Sequence, residues 1–156
     1  MSIEKERKFL LKELPKNFNE MDIFADYEIE QGYLMFGNDK ELRVRIIKGR
    51  WNNDSIITYK SKIDETSRNE YEYRIPMKDA ISLMNSTKVK LKKRRRMVDV
   101  DGLEITIDDY PDGLRIAEIE YTDELVNIPG WLGEDVTNNK MYSNLEIALL
   151  NNINNL

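Results

Sequence analysis

At 156 residues, with 24 Lys and Arg against 29 Asp and Glu, the chain has a net charge of −5 and no overall attraction for nucleic acid or an anionic membrane. It has no cysteine and no histidine, which excludes disulfides, thiolate metal sites, the usual zinc ligand and the commonest general base. Any metal must therefore be a hard, oxygen-bound ion, and the length suits one domain, 1–156, with a real core.

No apolar run is long enough to span a bilayer and the charged first residues lack a signal-peptide core, so a cytoplasmic protein is expected. The first strand is expected over 3–12. Within it, Glu4-Lys5-Glu6-Arg7-Lys8 repeats charge with period two, which puts Glu4, Glu6 and Lys8 on one face. Two carboxylates about 6.6 Å apart along a strand repel unless a cation or basic groups sit between them. Taken alone, such a stretch is most simply a solvated strand face.

A short amphipathic segment carrying Phe18, Met21 and Phe24 precedes a second strand over 28–36, and Gly37-Asn38 signals a hairpin. The third strand, 41–48, sets Leu42, Val44 and Ile46 against Arg43 and Arg45. The fourth, 55–62, shares one face among Thr58, Lys60 and Lys62. The fifth, 69–75, has a second acidic doublet, Glu70 and Glu72. Pro76 opens a helix over about 77–85 with Met77, Ile81 and Met84 as its buried stripe.

The sixth strand begins near Thr87 and separates Lys93 and Arg95 from Lys92, Arg94 and Arg96, so only half of this basic run can face any one partner. Asp101-Gly102 is the strongest hairpin signal, flanked by Asp99. The seventh strand, 103–110, sets Leu103, Ile105 and Ile107 against Glu104, Thr106 and Asp108; the eighth, 114–121, pairs Glu118 with Glu120. A closing helix over 139–153, capped by Thr137 or Asn138, is expected to pack the stripe Tyr142, Leu145, Leu149, Ile153 and Leu156 on the sheet. Trp51 and Trp131 read as packing residues, and Lys62, Arg68 and Lys90 as solvent-exposed.

Eight strands with tight turns suggest an antiparallel meander, and closing it removes the sheet edges. The fold class expected is α+β, mainly β: an eight-stranded closed antiparallel barrel with helices packed outside and the C-terminal helix near one end.

The charged doublets are segregated by sign: Glu4/Glu6, Glu70/Glu72 and Glu118/Glu120, joined by Asp108, against Arg43/Arg45, Lys60/Lys62 and Lys93/Arg95. A solvated face normally intersperses its signs. If helices cover the apolar face outside, the charged face lines the interior, which is costly without ligands. The ligand that answers both signs is a polyanion with metal ions. There is no G-x-x-x-x-G-K-[ST] or G-x-S-x-G motif.

In this order the residues resemble the CYTH superfamily, the triphosphate tunnel metalloenzymes. Glu4-Lys5-Glu6-Arg7-Lys8 matches its E-x-E-x-K signature. Gln31-Gly32-Tyr33-Leu34, Arg43-Val44-Arg45, Thr58-Tyr59-Lys60, Glu70-Tyr71-Glu72, Lys93-Arg94-Arg95, Asp108, Gly113-Leu114 and Ala117-Glu118-Ile119-Glu120 follow. Trp131, Val136-Thr137 and Tyr142-Ser143-Asn144 look like its ending, whereas Thr106 stands where many members carry an acid.

The resemblance implies a tunnel that binds a triphosphate. By analogy, Lys8, Arg43, Arg45, Lys60, Lys93 and Arg95 would grip it, and Glu4, Glu6, Asp108, Glu118 and Glu120 would hold Mg²⁺ or Mn²⁺. Glu70 and Glu72 would support a second ion or orient water, with Lys8 also in the catalytic set. The expected activity is metal-dependent hydrolysis of inorganic tripolyphosphate or a nucleoside triphosphate. The alternatives are a class IV-type adenylate cyclase making cyclic AMP from ATP and a non-catalytic polyphosphate-binding module. The expected partner is a triphosphate-containing small molecule, not nucleic acid or membrane; whether the chain works as a homodimer stays open.

Overall fold

The computed structural model describes residues 2–125 and 127–154, with side chains described for all of these except 2–4 and 154. Eight strands run in chain order as β1 (Ser2–Leu10), β2 (Asp22–Gly37), β3 (Lys40–Lys48), β4 (Asn53–Lys62), β5 (Ser67–Arg74), β6 (Lys90–Val100), β7 (Leu103–Asp109) and β8 (Arg115–Glu120). Helix α1 (Met77–Asn85) lies between β5 and β6, and α2 (Asn144–Asn154) follows β8. Among the described residues no helix is long and apolar enough to cross a membrane.

The strands close into a barrel in the order β1-β5-β4-β3-β2-β6-β7-β8, every pair antiparallel. This is not the single meander expected. Two hairpin runs, β2 to β5 and β6 to β8, are stitched together by β1 on one side and by the β2–β6 ladder on the other. The local turns follow their chemistry. Asp101 and Gly102 both adopt positive φ, 53° and 86°, and the Gly102 amide donates to Asp99 Oδ1 at 2.9 Å. At the β2–β3 hairpin positive φ runs through Gly37, Asn38 and Asp39, at 127°, 51° and 61°, so the turn extends one residue beyond the Gly37-Asn38 signal, and Gly37 pairs with Lys40.

The apolar faces point outward, as alternation requires. Val44 and Ile46 of β3 pack under Ala80 and Met84 of α1. A second cluster, including Phe9, Phe18, Val98, Ile105, Ile107, Ala117 and Ile119, is covered by neither α-helix; Leu14, Met21, Leu125, Trp131 and Leu132 pack against it. One end of the barrel is closed by α2, whose Ile147 and Ala148 join Tyr33, Leu91, Tyr110 and Ile116.

Other expectations change as well. β2 starts at Asp22, six residues before the expected 28, because 22–28 ladders against β6. Only Phe18–Glu20 makes a 3₁₀ turn, so Phe18 is buried while Phe24, now in a strand, is exposed. The last helix begins at Asn144, after a separate 3₁₀ turn, Lys140–Tyr142, capped by Asn139 rather than Thr137 or Asn138. Ser143 Oγ accepts the Glu146 amide at its start. Rotating that helix to bury Ile147 and Ala148 leaves Ile153 exposed; Leu156 lies outside the described residues. Trp131 packs as expected, but Trp51 is 85% exposed, with the Arg50 guanidinium over its ring.

Candidate functional site

With apolar side chains outside, β1, β3, β4, β5, β6 and β8 turn charged side chains into the barrel. A cavity of about 270 Å³ is lined by Glu6, Arg43, Arg45, Lys60, Glu70, Glu72, Arg95, Glu118, Glu120 and Asn144. The strand order sets the basic arc of β4, β3 and β6 across from the acidic arc of β5, β1 and β8. The cavity adjoins a mouth of about 390 Å³ where Glu6, Lys8, Lys62, Arg68, Lys140 and Glu146 meet.

Most cations here already have an anion. Lys8 Nζ lies 3.6 Å from Glu118 and donates to the Tyr142 carbonyl at 3.2 Å. Arg43 pairs with Glu41 at 3.6 Å and Lys60 with Glu70 at 3.8 Å. Thr58 Oγ1 donates to Glu72 at 3.5 Å. Arg68, expected in solvent, reaches Glu6 at 3.7 Å and is half-buried.

Beneath the lining is a denser cluster. Asp108 is fully buried; Arg95 Nε and Nη2 donate to its two oxygens at 2.8 and 2.9 Å, and Lys93 Nζ donates at 2.8 Å. Lys93 also donates to Asn144 Oδ1 at 3.2 Å, and Tyr110 Oη donates to the same oxygen. One carboxylate cannot balance two buried cations. Burial pulls the Lys93 ammonium down to about 7, with Asp108 opposing. Burial also disfavours charge on Arg95, but Asp108 more than offsets it, so the guanidinium stays charged. The Asp108 carboxyl is destabilised as an anion by burial, yet Lys93 and Arg95 hold it below the ordinary carboxylate range. On the same basic arc, burial and the neighbouring Arg43 and Arg95 charges push Arg45 below the ordinary arginine value.

Nine of the expected site residues thus meet in one cavity: Glu6, Arg43, Arg45, Lys60, Glu70, Glu72, Arg95, Glu118 and Glu120. Lys8 stands at its mouth, while Lys93 and Asp108 form its floor. The Glu4 side chain lies outside the described residues, although its backbone continues the β1 ladder opposite Arg68. Sequence reasoning assigned no role to Gln31, Tyr33, Tyr110 or Asn144, neutral polar groups that the structure places against the site's charges. Their signal was weak, because an uncharged residue shows no sign to segregate.

Among the described residues no three acidic side chains come together as a ready-made metal cage. The atoms available to a metal around the cavity are oxygens, of Glu6, Glu70, Glu72, Glu118, Glu120 and the Asn144 amide, which suits a hard ion of the Mg²⁺ or Mn²⁺ kind. Such ions usually take only one or two carboxylates and complete their shell with water and phosphate oxygens.

The CYTH domain family model matches residues 2–148. A protein of Acetivibrio thermocellus named inorganic triphosphatase is 35% identical over 125 residues, covering 76% of this chain and 78% of its own. Among solved structures, the PH1819 protein from Pyrococcus horikoshii OT3 matches with a TM-score of 0.61 at 24% identity, over 79% of this chain and 80% of that one. The putative adenylyl cyclase HpAC1 from Hippeastrum, described as having a dominant triphosphatase activity, matches with a TM-score of 0.54 at 14% identity, over 79% of this chain and 80% of that one. These two likenesses show the fold alone. Because the family model spans all eight strands and both helices to Ala148, and the inward-facing doublets fall on the strands that close the barrel, this protein belongs to the CYTH domain family.

Proposed function

We propose that the protein is a divalent-metal-dependent triphosphatase that hydrolyses inorganic tripolyphosphate or a nucleoside triphosphate inside the barrel. The observation that carries this reading is the facing of a basic arc and an acidic arc across one cavity. The relative named inorganic triphosphatase supports the same reaction class.

In this reading Arg43, Arg45, Lys60 and Arg95 grip the phosphate oxygens, with Lys8 at the mouth and Lys93 beneath Arg95. Their charge answers the charge that builds on the phosphoryl oxygens in the transition state. Glu4, Glu6, Glu118 and Glu120 would hold Mg²⁺ or Mn²⁺. The chemistry supplied there when a metal is bound would be positive charge against the charge developing on the phosphoryl oxygens. Asp108 has both oxygens engaged, so we assign it to holding Arg95 and Lys93. Glu70 is drawn toward Lys60, whereas Glu72, among the described residues, has only the Thr58 hydroxyl at 3.5 Å, so Glu72 is the better placed of the two to orient water for in-line attack. No histidine is needed for this chemistry.

The test is incubation with tripolyphosphate, ATP, GTP and thiamine triphosphate, each with Mg²⁺ and with Mn²⁺. Metal-dependent orthophosphate release from at least one is expected. Cyclic AMP from ATP would replace this reading with a cyclase. Tight tripolyphosphate binding without turnover would replace it with a binding module.

A further inference from the structure

The cations around the cavity are restrained in two ways. Arg43, Lys60 and Arg95 each meet a carboxylate, at 3.6, 3.8 and 2.8 Å. Among the described residues Arg45 forms no such pair; its Nε donates instead to Oε1 of Gln31 at 2.8 Å. Gln31 is fully buried and stands directly opposite Arg45 in the β2–β3 ladder.

Its orientation follows from donor and acceptor logic. A guanidinium only donates, so the amide oxygen must face it. The amide nitrogen then points the other way and donates to Tyr33 Oη at 2.7 Å. Tyr33 is also buried, so the amide is clamped from both ends.

The geometry points to Gln31 as a positioning residue that aims Arg45 at an anion without neutralising it. A carboxylate at this position would make the same hydrogen bond and relieve the repulsion among Arg45, Arg43 and Arg95. The amide leaves that repulsion in place. The unspent charge then acts on whatever anion enters, and the terminal nitrogens of Arg45 stay available to phosphate oxygens. This rests on the triphosphatase reading of the cavity and adds a residue outside its charged set.

The experiment is calorimetric titration of the metal-free full-length chain with inorganic tripolyphosphate, for the wild type, Gln31→Glu, Gln31→Leu, Arg45→Ala and the Gln31→Glu/Arg45→Ala pair. Gln31→Glu keeps the side-chain volume but should weaken binding by about tenfold or more at pH 8.5. The loss should shrink as pH falls and the introduced carboxyl takes up a proton. With Arg45 already removed, the same substitution should change affinity by less than about twofold. Gln31→Leu keeps the charge but cuts the tether, so it should weaken binding with no recovery at low pH; it serves if the acidic variant fails to fold. Binding of Gln31→Glu within about twofold of wild type, or an undiminished loss in the Arg45→Ala background, would overturn the assignment. A wild type that neither binds nor hydrolyses tripolyphosphate would overturn the underlying reading, and this one with it.

Discussion

Arg95 and Asp108 are direct cross-strand neighbours joined by two hydrogen bonds, 2.8 and 2.9 Å, in a fork that leaves the carboxylate no freedom to turn. Lys93 reaches the same carboxylate from two residues away. Removing that single negative charge should leave Arg95 an unpaired buried cation and take away the interaction that favours the Lys93 ammonium. We expect Asp108→Asn to destabilise the protein by about 3–5 kcal/mol, read as a lower urea midpoint at unchanged slope. A loss below about 1 kcal/mol would show that the cluster is not holding the floor together.

The same cluster predicts a pH dependence. An unfolded lysine titrates near 10.5, whereas burial brings Lys93 down to about 7. Between those values the unfolded chain binds more protons at this site, so its contribution to stability rises with pH from about 7 toward 10.5. Lys93→Met should abolish that rise. The check is urea unfolding of wild type and variant in metal-free buffer at pH 7 and pH 9.5; parallel curves at the two pH values would contradict it.

Glu6 separates function from folding. Among the described residues its ion pair is to Arg68 at 3.7 Å, partly exposed, and contributes about 0–1 kcal/mol. Glu6→Gln should therefore keep its melting temperature within a few degrees while metal-dependent phosphate release falls by at least about tenfold. Full activity at saturating Mg²⁺ and at limiting Mg²⁺ would remove Glu6 from the metal set.

The loop over the second outer cluster depends on one close approach. A Cβ at Gly133 would lie 2.4 Å from the Leu10 carbonyl oxygen, which already accepts the Gly133 amide at 2.9 Å. That neighbour is backbone and cannot rotate aside. Gly133→Ala should cost on the order of 2–3 kcal/mol by thermal unfolding. Gly130→Ala, with nothing within 4 Å of the added carbon, should be close to neutral and serves as the control.

Alternation was legible without coordinates because it is a local property of an extended chain. Once 41–48 is a strand, Arg43 and Arg45 must share a face opposite Val44 and Ile46, and the same holds for Glu118 and Glu120 against Ile119. The Asp101-Gly102 turn is local in the same sense, since its positive φ values need only those two residues. What lay beyond the sequence was every distance set by barrel closure and ladder register. The early start of β2 comes from its pairing with β6, which sets Asp22 against Asp99 and Glu28 against Arg94, far along the chain. That both oxygens of Asp108 are taken, and that Arg45 alone among the described cavity cations meets an amide instead of a carboxylate, follow from which strands became neighbours. Period and sign are written into consecutive residues; the pairing of one charge with another is written only into the closed sheet.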